Sequence, residues 1–83
     1  MDAQRKKLIF RSEHRGTKEM DLILGTFSRA FIPTATQEQV DAYDELLNES
    51  DPDLYNWISM REDVPADNDN IILSQLIGYQ IPK

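Results

Sequence analysis

The stretch Thr17-Lys18-Glu19-Met20-Asp21-Leu22-Ile23-Leu24-Gly25-Thr26-Phe27-Ser28-Arg29-Ala30-Phe31 decides the fold. Its apolar positions Met20, Ile23, Leu24, Phe27, Ala30 and Phe31 recur at the spacing of one buried helical stripe. Thr17 is placed to cap this helix. Glu19 and Asp21 stand in its first turn, where carboxylates meet the positive end of the helix dipole. Pro33 stops it, because a proline has no amide to donate and its ring clashes with the preceding turn.

Toward the N-terminus, Ala3 to about His14 is rich in good helix formers around an apolar centre, Leu8-Ile9-Phe10. Gly16 follows where a helix ending near His14 or Arg15 calls for a residue tolerant of positive φ. Toward the C-terminus, Thr36 and Gln39 have the spacing of a capping box for a third helix. Val40, Tyr43, Leu46 and Leu47 fall on one face of it, and Asp41, Asp44, Glu45 and Glu49 on the other. That acidic face reads as a device for solubility. Ser50 or Asp51 caps a short fourth helix with Pro52 at its first position, and Leu54, Tyr55, Trp57 and Ile58 follow. After Val64-Pro65, the polar run Asp67-Asn68-Asp69-Asn70 supplies caps for a last helix holding Ile72, Leu73, Leu76 and Ile77. Gly78 is placed to end it, and residues 79–83 read as a loose tail. No segment alternates with period two, and no repeat or linker divides the chain. The expected fold is all-α: one domain over residues 1–83, a compact bundle of five short helices.

Composition narrows the function. A chain of 83 residues has a thin core and little room for a secluded catalytic cavity, which favours an interaction module. With no cysteine, disulfides, thiolate zinc sites and cysteine nucleophiles are excluded, and a reducing compartment fits. The longest apolar runs, Leu22-Ile23-Leu24 and Ile71-Ile72-Leu73 among them, are three residues long and far too short to enter a membrane as spans. The net charge of -6 is unevenly distributed. Residues 1–18 hold six cations against Asp2 and Glu13, whereas residues 19–83 hold 13 acids against Arg29, Arg61 and Lys83. A basic edge on an acidic body can steer a partner, or can be a solvated helix face.

Chemistry-bearing constellations are few. His14 is the single histidine, so no histidine pair or multi-histidine metal site can form, and Ser12 lacks an activating motif. His14 reads as a helix-terminal residue facing the last carbonyls. The acids at 41, 44 and 45 share a face and read as solvated charge rather than a cation site. Asp67 begins like a calcium loop, but Ile72 and Gly78 occupy the positions that need glycine and a bidentate glutamate. A helix-turn-helix reading around Gly16 fails on Glu19 and Asp21, which would set carboxylates where phosphates are met, so nucleic acid is not an expected partner.

The corner itself remains, with Arg11, His14, Arg15, Gly16, Lys18 and Glu19 crowded together. Local chemistry alone makes Gly16 a terminator and Arg15–Glu19 an incidental pair four residues apart. The functional alternative is a recognition corner, where Gly16 admits a partner backbone and Arg15 and Glu19 offer charge-assisted hydrogen bonds.

The string His14-Arg15-Gly16-Thr17-Lys18-Glu19-Met20-Asp21 contains an RGxxE signature and resembles the succinate dehydrogenase assembly factor 2 family. Leu22 to Phe27, Tyr43-Asp44-Glu45-Leu46-Leu47 and Asp51-Pro52-Asp53-Leu54-Tyr55-Asn56-Trp57 extend the resemblance over roughly residues 5–77. It implies a five-helix bundle and a non-catalytic assembly chaperone. Its partner would be the flavoprotein subunit of succinate dehydrogenase, with fumarate reductase as a second candidate, and the chaperone would promote covalent FAD attachment. The reacting histidine and the FAD would belong to the partner, with no cofactor held by this chain. By matching position the resemblance makes Arg15, Gly16 and Glu19 the partner-binding surface, flanked by Arg11, His14 and Asp21. Leu54, Trp57 and Ile58 read as core. The sequence shows no N-terminal extension like that of a mitochondrial precursor, so the resemblance implies a bacterial cytoplasmic form. An antitoxin-like regulatory binding module is the alternative in a different class.

Overall fold

The computed structural model describes residues 2–68 and 70–77, the side chain of Asn68 excepted. Five α-helices follow one another: α1 (Ala3–Glu13), α2 (Lys18–Phe31), α3 (Gln37–Leu46), α4 (Asp51–Ile58) and α5 (Ile71–Ile77). Short 3-10 turns at Ile32–Thr34 and Ala66–Asn68 interrupt the connections. Among the described residues no strand occurs, and no helix is long and apolar enough to cross a membrane.

Local chemistry sets most boundaries. Asp2 caps α1 by accepting from the Arg5 amide at 2.8 Å, and Thr17 caps α2 by accepting from the Met20 amide. The Thr36–Gln39 capping box forms in full, so two amide donors at the start of α3 are satisfied reciprocally. Ser50, not Asp51, caps α4, which puts Asp51 and Pro52 inside its first turn. At the far end of α4, Met60 takes a left-handed conformation (φ 63°) usually left to glycine. The Arg61 and Met60 amides close that turn on the Asn56 and Trp57 carbonyls at 2.8 and 3.2 Å. Asn70 begins α5: its Oδ1 accepts from the Ile72 amide at 2.8 Å, while its Nδ2 donates to the Ala42 carbonyl. Asp69, Gly78 and the expected tail at 79–83 lie outside the described residues.

α1 and α2 form a hairpin, α3 and α4 pack on α5, and one core runs through all of them. Leu24, Ile32, Val40, Tyr43, Leu54, Ile72 and Leu76 are fully buried. Gly25 lies where the two hairpin helices come close; a Cβ there would sit 3.3 Å from Glu13 Cγ and from Arg29 Nη1. The expected α2 stripe is buried at Met20, Ile23, Leu24 and Phe27, but Ala30 is exposed. The reason is that the chain turns into the 3-10 segment, where Ile32 takes over the core position and Phe31 stacks on Phe27 at 4.9 Å. The acidic face of α3 is also more than a solubility device. Asp44 pairs with Arg11 at 2.9 Å and Gln4 donates to Asp41 and Asp44, so α3 carboxylates hold α1 in place.

A polar pair is sealed in this core. Ser12 is fully buried, with its hydroxyl donating to the Leu8 carbonyl at 2.7 Å. That leaves the Tyr43 hydroxyl as donor in the 2.5 Å Ser12–Tyr43 hydrogen bond. Burial pushes the phenol up to about 12, against a smaller opposing effect of the Arg15 charge. The fold favours neutral Tyr43, so its contribution is complete below the unfolded value near 10 and is lost as pH climbs through 12. Tyr43→Phe is expected to cost about 1 kcal/mol at neutral pH through the lost hydrogen bond. The same variant should flatten the fall in stability above pH 10, as read by urea melts at neutral and alkaline pH. An unchanged alkaline slope would contradict this role.

Candidate functional site

The turn between α1 and α2 is held from three sides. Asp51, in the first turn of α4, presents one carboxylate oxygen to Arg15 Nε at 2.6 Å and the other to the Gly16 amide at 2.7 Å. The two remaining guanidinium nitrogens of Arg15 donate to the carbonyls of Leu47 and Glu49, each at 2.9 Å, on the loop between α3 and α4. The Arg15 amide donates to the Asp21 carboxylate, one turn into α2. Arg15 and Asp51 side chains are only 13% and 17% exposed, so this ion pair is shielded from screening.

Two features differ from the sequence reading. Arg15 and Glu19 do not pair, because the guanidinium turns inward to Asp51 and the loop carbonyls. Gly16 does not adopt positive φ. Glycine is needed there for space: a Cβ would lie 2.9 Å from Asp51 Oδ2, an oxygen already fixed by its hydrogen bond to the Gly16 amide.

The remaining candidates flank this knot. His14 closes α1; its Nδ1 donates to the Phe10 carbonyl at 2.8 Å and its ring stacks on Phe10 with centroids 4.1 Å apart. Phe10, Arg11, His14, Arg15, Gly16 and Asp51 line a groove of about 330 Å³. Glu19 lines a second groove of about 280 Å³ together with Met20, Pro52, Tyr55 and Arg61, and Asp51 is common to both. Arg61 lies over the Tyr55 ring, 5.5 Å from its centre. Glu19 is exposed and makes no hydrogen bond or ion pair among the described residues, the one charged member of the signature left unengaged. The structure thus joins Arg15, Gly16 and Asp21 in one network, sets Arg11 and His14 beside it in the first groove, and leaves Glu19 projecting by the second.

Sequence reading missed Asp51. An aspartate beside Ser50 and before Pro52 has a sufficient local explanation as a cap, and nothing local announces a contact 35 residues away. Among the described residues no cluster of three or more histidine, aspartate or glutamate side chains could hold a metal ion, and no buried side-chain polar atom lacks a partner.

A sequence model for the family described as flavinator of succinate dehydrogenase matches residues 6–80. Succinate dehydrogenase assembly factor 2, mitochondrial, of Dictyostelium discoideum is 41% identical over 69 residues, covering 83% of this chain and 49% of that protein. The proteins of the same name from Komagataella phaffii and Kluyveromyces lactis are 43% and 44% identical over 56 and 57 residues, covering 68% and 69% of this chain and 30% and 35% of theirs. The chain spans half or less of the length of these relatives.

Removing the shared carboxylate leaves a largely buried guanidinium and a backbone amide short of an acceptor. Asp51→Ala is therefore expected to lower stability by about 2 kcal/mol, the worth of hydrogen bonds to a charged group. Asp51→Asn, which keeps one acceptor oxygen, should lose less. Chemical denaturation monitored by circular dichroism reads both; equal stability of Asp51→Ala and the parent would show that the knot contributes nothing.

Proposed function

This chain belongs to the flavinator of succinate dehydrogenase family, and from that premise we propose that it binds the flavoprotein subunit of the dehydrogenase and promotes covalent attachment of FAD to it. The observation that carries the reading is the pinned corner: the backbone of Arg15-Gly16 is fixed by α2 and α4, while Glu19, immediately beyond it, has no partner among the described residues. A surface whose geometry is set before binding favours whichever partner conformer fits it, at little entropic cost to itself.

On this reading the six residues divide their work. Gly16 and Glu19 meet the partner, Gly16 by allowing close backbone approach and Glu19 by accepting hydrogen bonds. Arg15 and Asp21 hold the corner from beneath, and Arg11 and His14 form a wall of the adjoining groove. The rate gain comes from positioning: a flavoprotein conformer with its histidine and flavin aligned reacts faster once held. The chain supplies no catalytic group and holds no flavin of its own. Two open grooves that share Asp51, one at the small end of the range for ligand sites and one below it, suit side chains of a partner better than a dinucleotide. Fumarate reductase is a second client on this reading. The reading includes residence in the bacterial cytoplasm, and the absence of cysteine suits that reducing compartment.

The test is flavin fluorescence of the denatured flavoprotein subunit after incubation of the apo-subunit with FAD, with and without this chain, since only covalent flavin survives denaturation. Adding the chain should raise the rate of labelling. Glu19→Ala should lower that rate about tenfold, the effect of losing one charge-assisted contact. Gly16→Arg, which sets a bulky cation against Asp51, should abolish it with helical circular dichroism retained. Equal labelling with and without the chain would refute the reading.

A further inference from the structure

We propose that the exposed face of α1, built around Phe10, is a docking surface for an acidic segment of the flavoprotein that carries an apolar side chain; the inference rests on the reading above and specifies the chemistry of the contact. Phe10 is 61% exposed in the middle of a helix whose Leu8 is buried, so the fold gains little from an aromatic ring at that position. The ring is nevertheless ordered. It stacks on His14, and His14 is tethered to the Phe10 carbonyl, giving a flat aromatic pair along one wall of the first groove. An aromatic already held in place loses little freedom when covered, which is the character of an anchor.

Charge gives the occupant its sign. The arginines of the N-terminal segment are engaged within the chain: Arg5 with Asp2 and the Ile32 carbonyl, Arg11 with Asp44, and Arg15 with Asp51. Lys6 and Lys7 are exposed and have no ion pair among the described residues. Helical spacing places both one turn before Phe10, on its side of α1. The unneutralised positive charge of α1 is therefore concentrated next to its exposed aromatic ring. Residues 19–83 carry a net -10, so an acidic segment is steered away from the body of the molecule and toward α1 and the neighbouring exposed Lys18. The groove ends on Gly16 and Asp51, so a segment lying along Phe10 runs onto the proposed recognition corner and belongs to the same partner. A second copy of this chain is a poorer occupant: the basic face of one copy on the acidic body of the next is a head-to-tail contact that does not close into a dimer.

The experiment measures binding of the apo-flavoprotein subunit to the full chain by biolayer interferometry at several salt concentrations, with sedimentation velocity of the chain alone. Phe10→Ser should weaken binding about tenfold, chiefly through faster dissociation, and leave the salt dependence unchanged. Lys6→Glu with Lys7→Glu should slow association about tenfold at low salt, and the deficit should shrink as salt rises. Both variants should melt like the parent, because none of these side chains is buried. Parental binding by both variants would overturn this inference while leaving the proposed function standing. Absence of binding by the parent chain itself would overturn both. Salt-dependent self-association of the parent that Phe10→Ser abolishes would reassign the face to a second copy and overturn the inference.

Discussion

Asp51 accepts from the guanidinium of Arg15 with one oxygen and from the amide of Gly16 with the other, and through Arg15 it reaches the carbonyls of Leu47 and Glu49. Four parts of the chain thereby meet: the end of α1, the turn into α2, the loop after α3 and the start of α4. Without it, Arg15 would keep its bonds to the loop carbonyls and to Asp21, but the Gly16 amide would lose its acceptor and the guanidinium its counter-charge. Apolar packing is tolerant of small shifts, whereas a carboxylate bridging a guanidinium and a backbone amide accepts only a narrow geometry. A surface of six or so residues proposed to recognise another protein needs the second kind of constraint more than the first.

The same logic explains why charge in this molecule is arranged against its own composition. The acidic body and the basic N-terminal segment are complementary within the chain, with Arg11 on Asp44 and Arg15 on Asp51, and Arg29 of α2 paired back to Glu13 of α1. Around the corner and α1 these contacts leave Glu19, Lys18, Lys6 and Lys7 exposed and without an ion pair among the described residues. The groups that remain unpaired after folding are the ones free to act on another molecule.

Much of the fold is legible in the sequence because its determinants are local. Thr17, Thr36, Ser50 and Asn70 each lie within three residues of the amide they satisfy, and the apolar spacing in α2 and α3 marks faces that are indeed buried, Tyr43 and Leu24 among them. The departures are all matters of distance. Ala30 has the period of the α2 stripe, but whether it is covered depends on where the chain goes after Pro33. Asp41 and Asp44 read as solvated acids until α1 is laid across them. Gly16 was legible as special, through its place after a helix and through the family resemblance, but the reason for it was not. Its φ is ordinary and its neighbour Asp51 comes from 35 residues further along. The candidate site was thus visible as a string of residues, while its division into buttress and exposed contact needed the structure.

Amide hydrogen exchange at Gly16, followed by NMR in the parent and in Asp51→Ala, bears most directly on the claim that one carboxylate pins the corner. Gly16 is an exposed turn residue, and without a fixed acceptor its amide would exchange at the rate of an unfolded chain. The account predicts strong protection in the parent, approaching that of the α2 core amides, and its loss in Asp51→Ala while Leu24 and Phe27 stay protected. Fast exchange at Gly16 in the parent would contradict it.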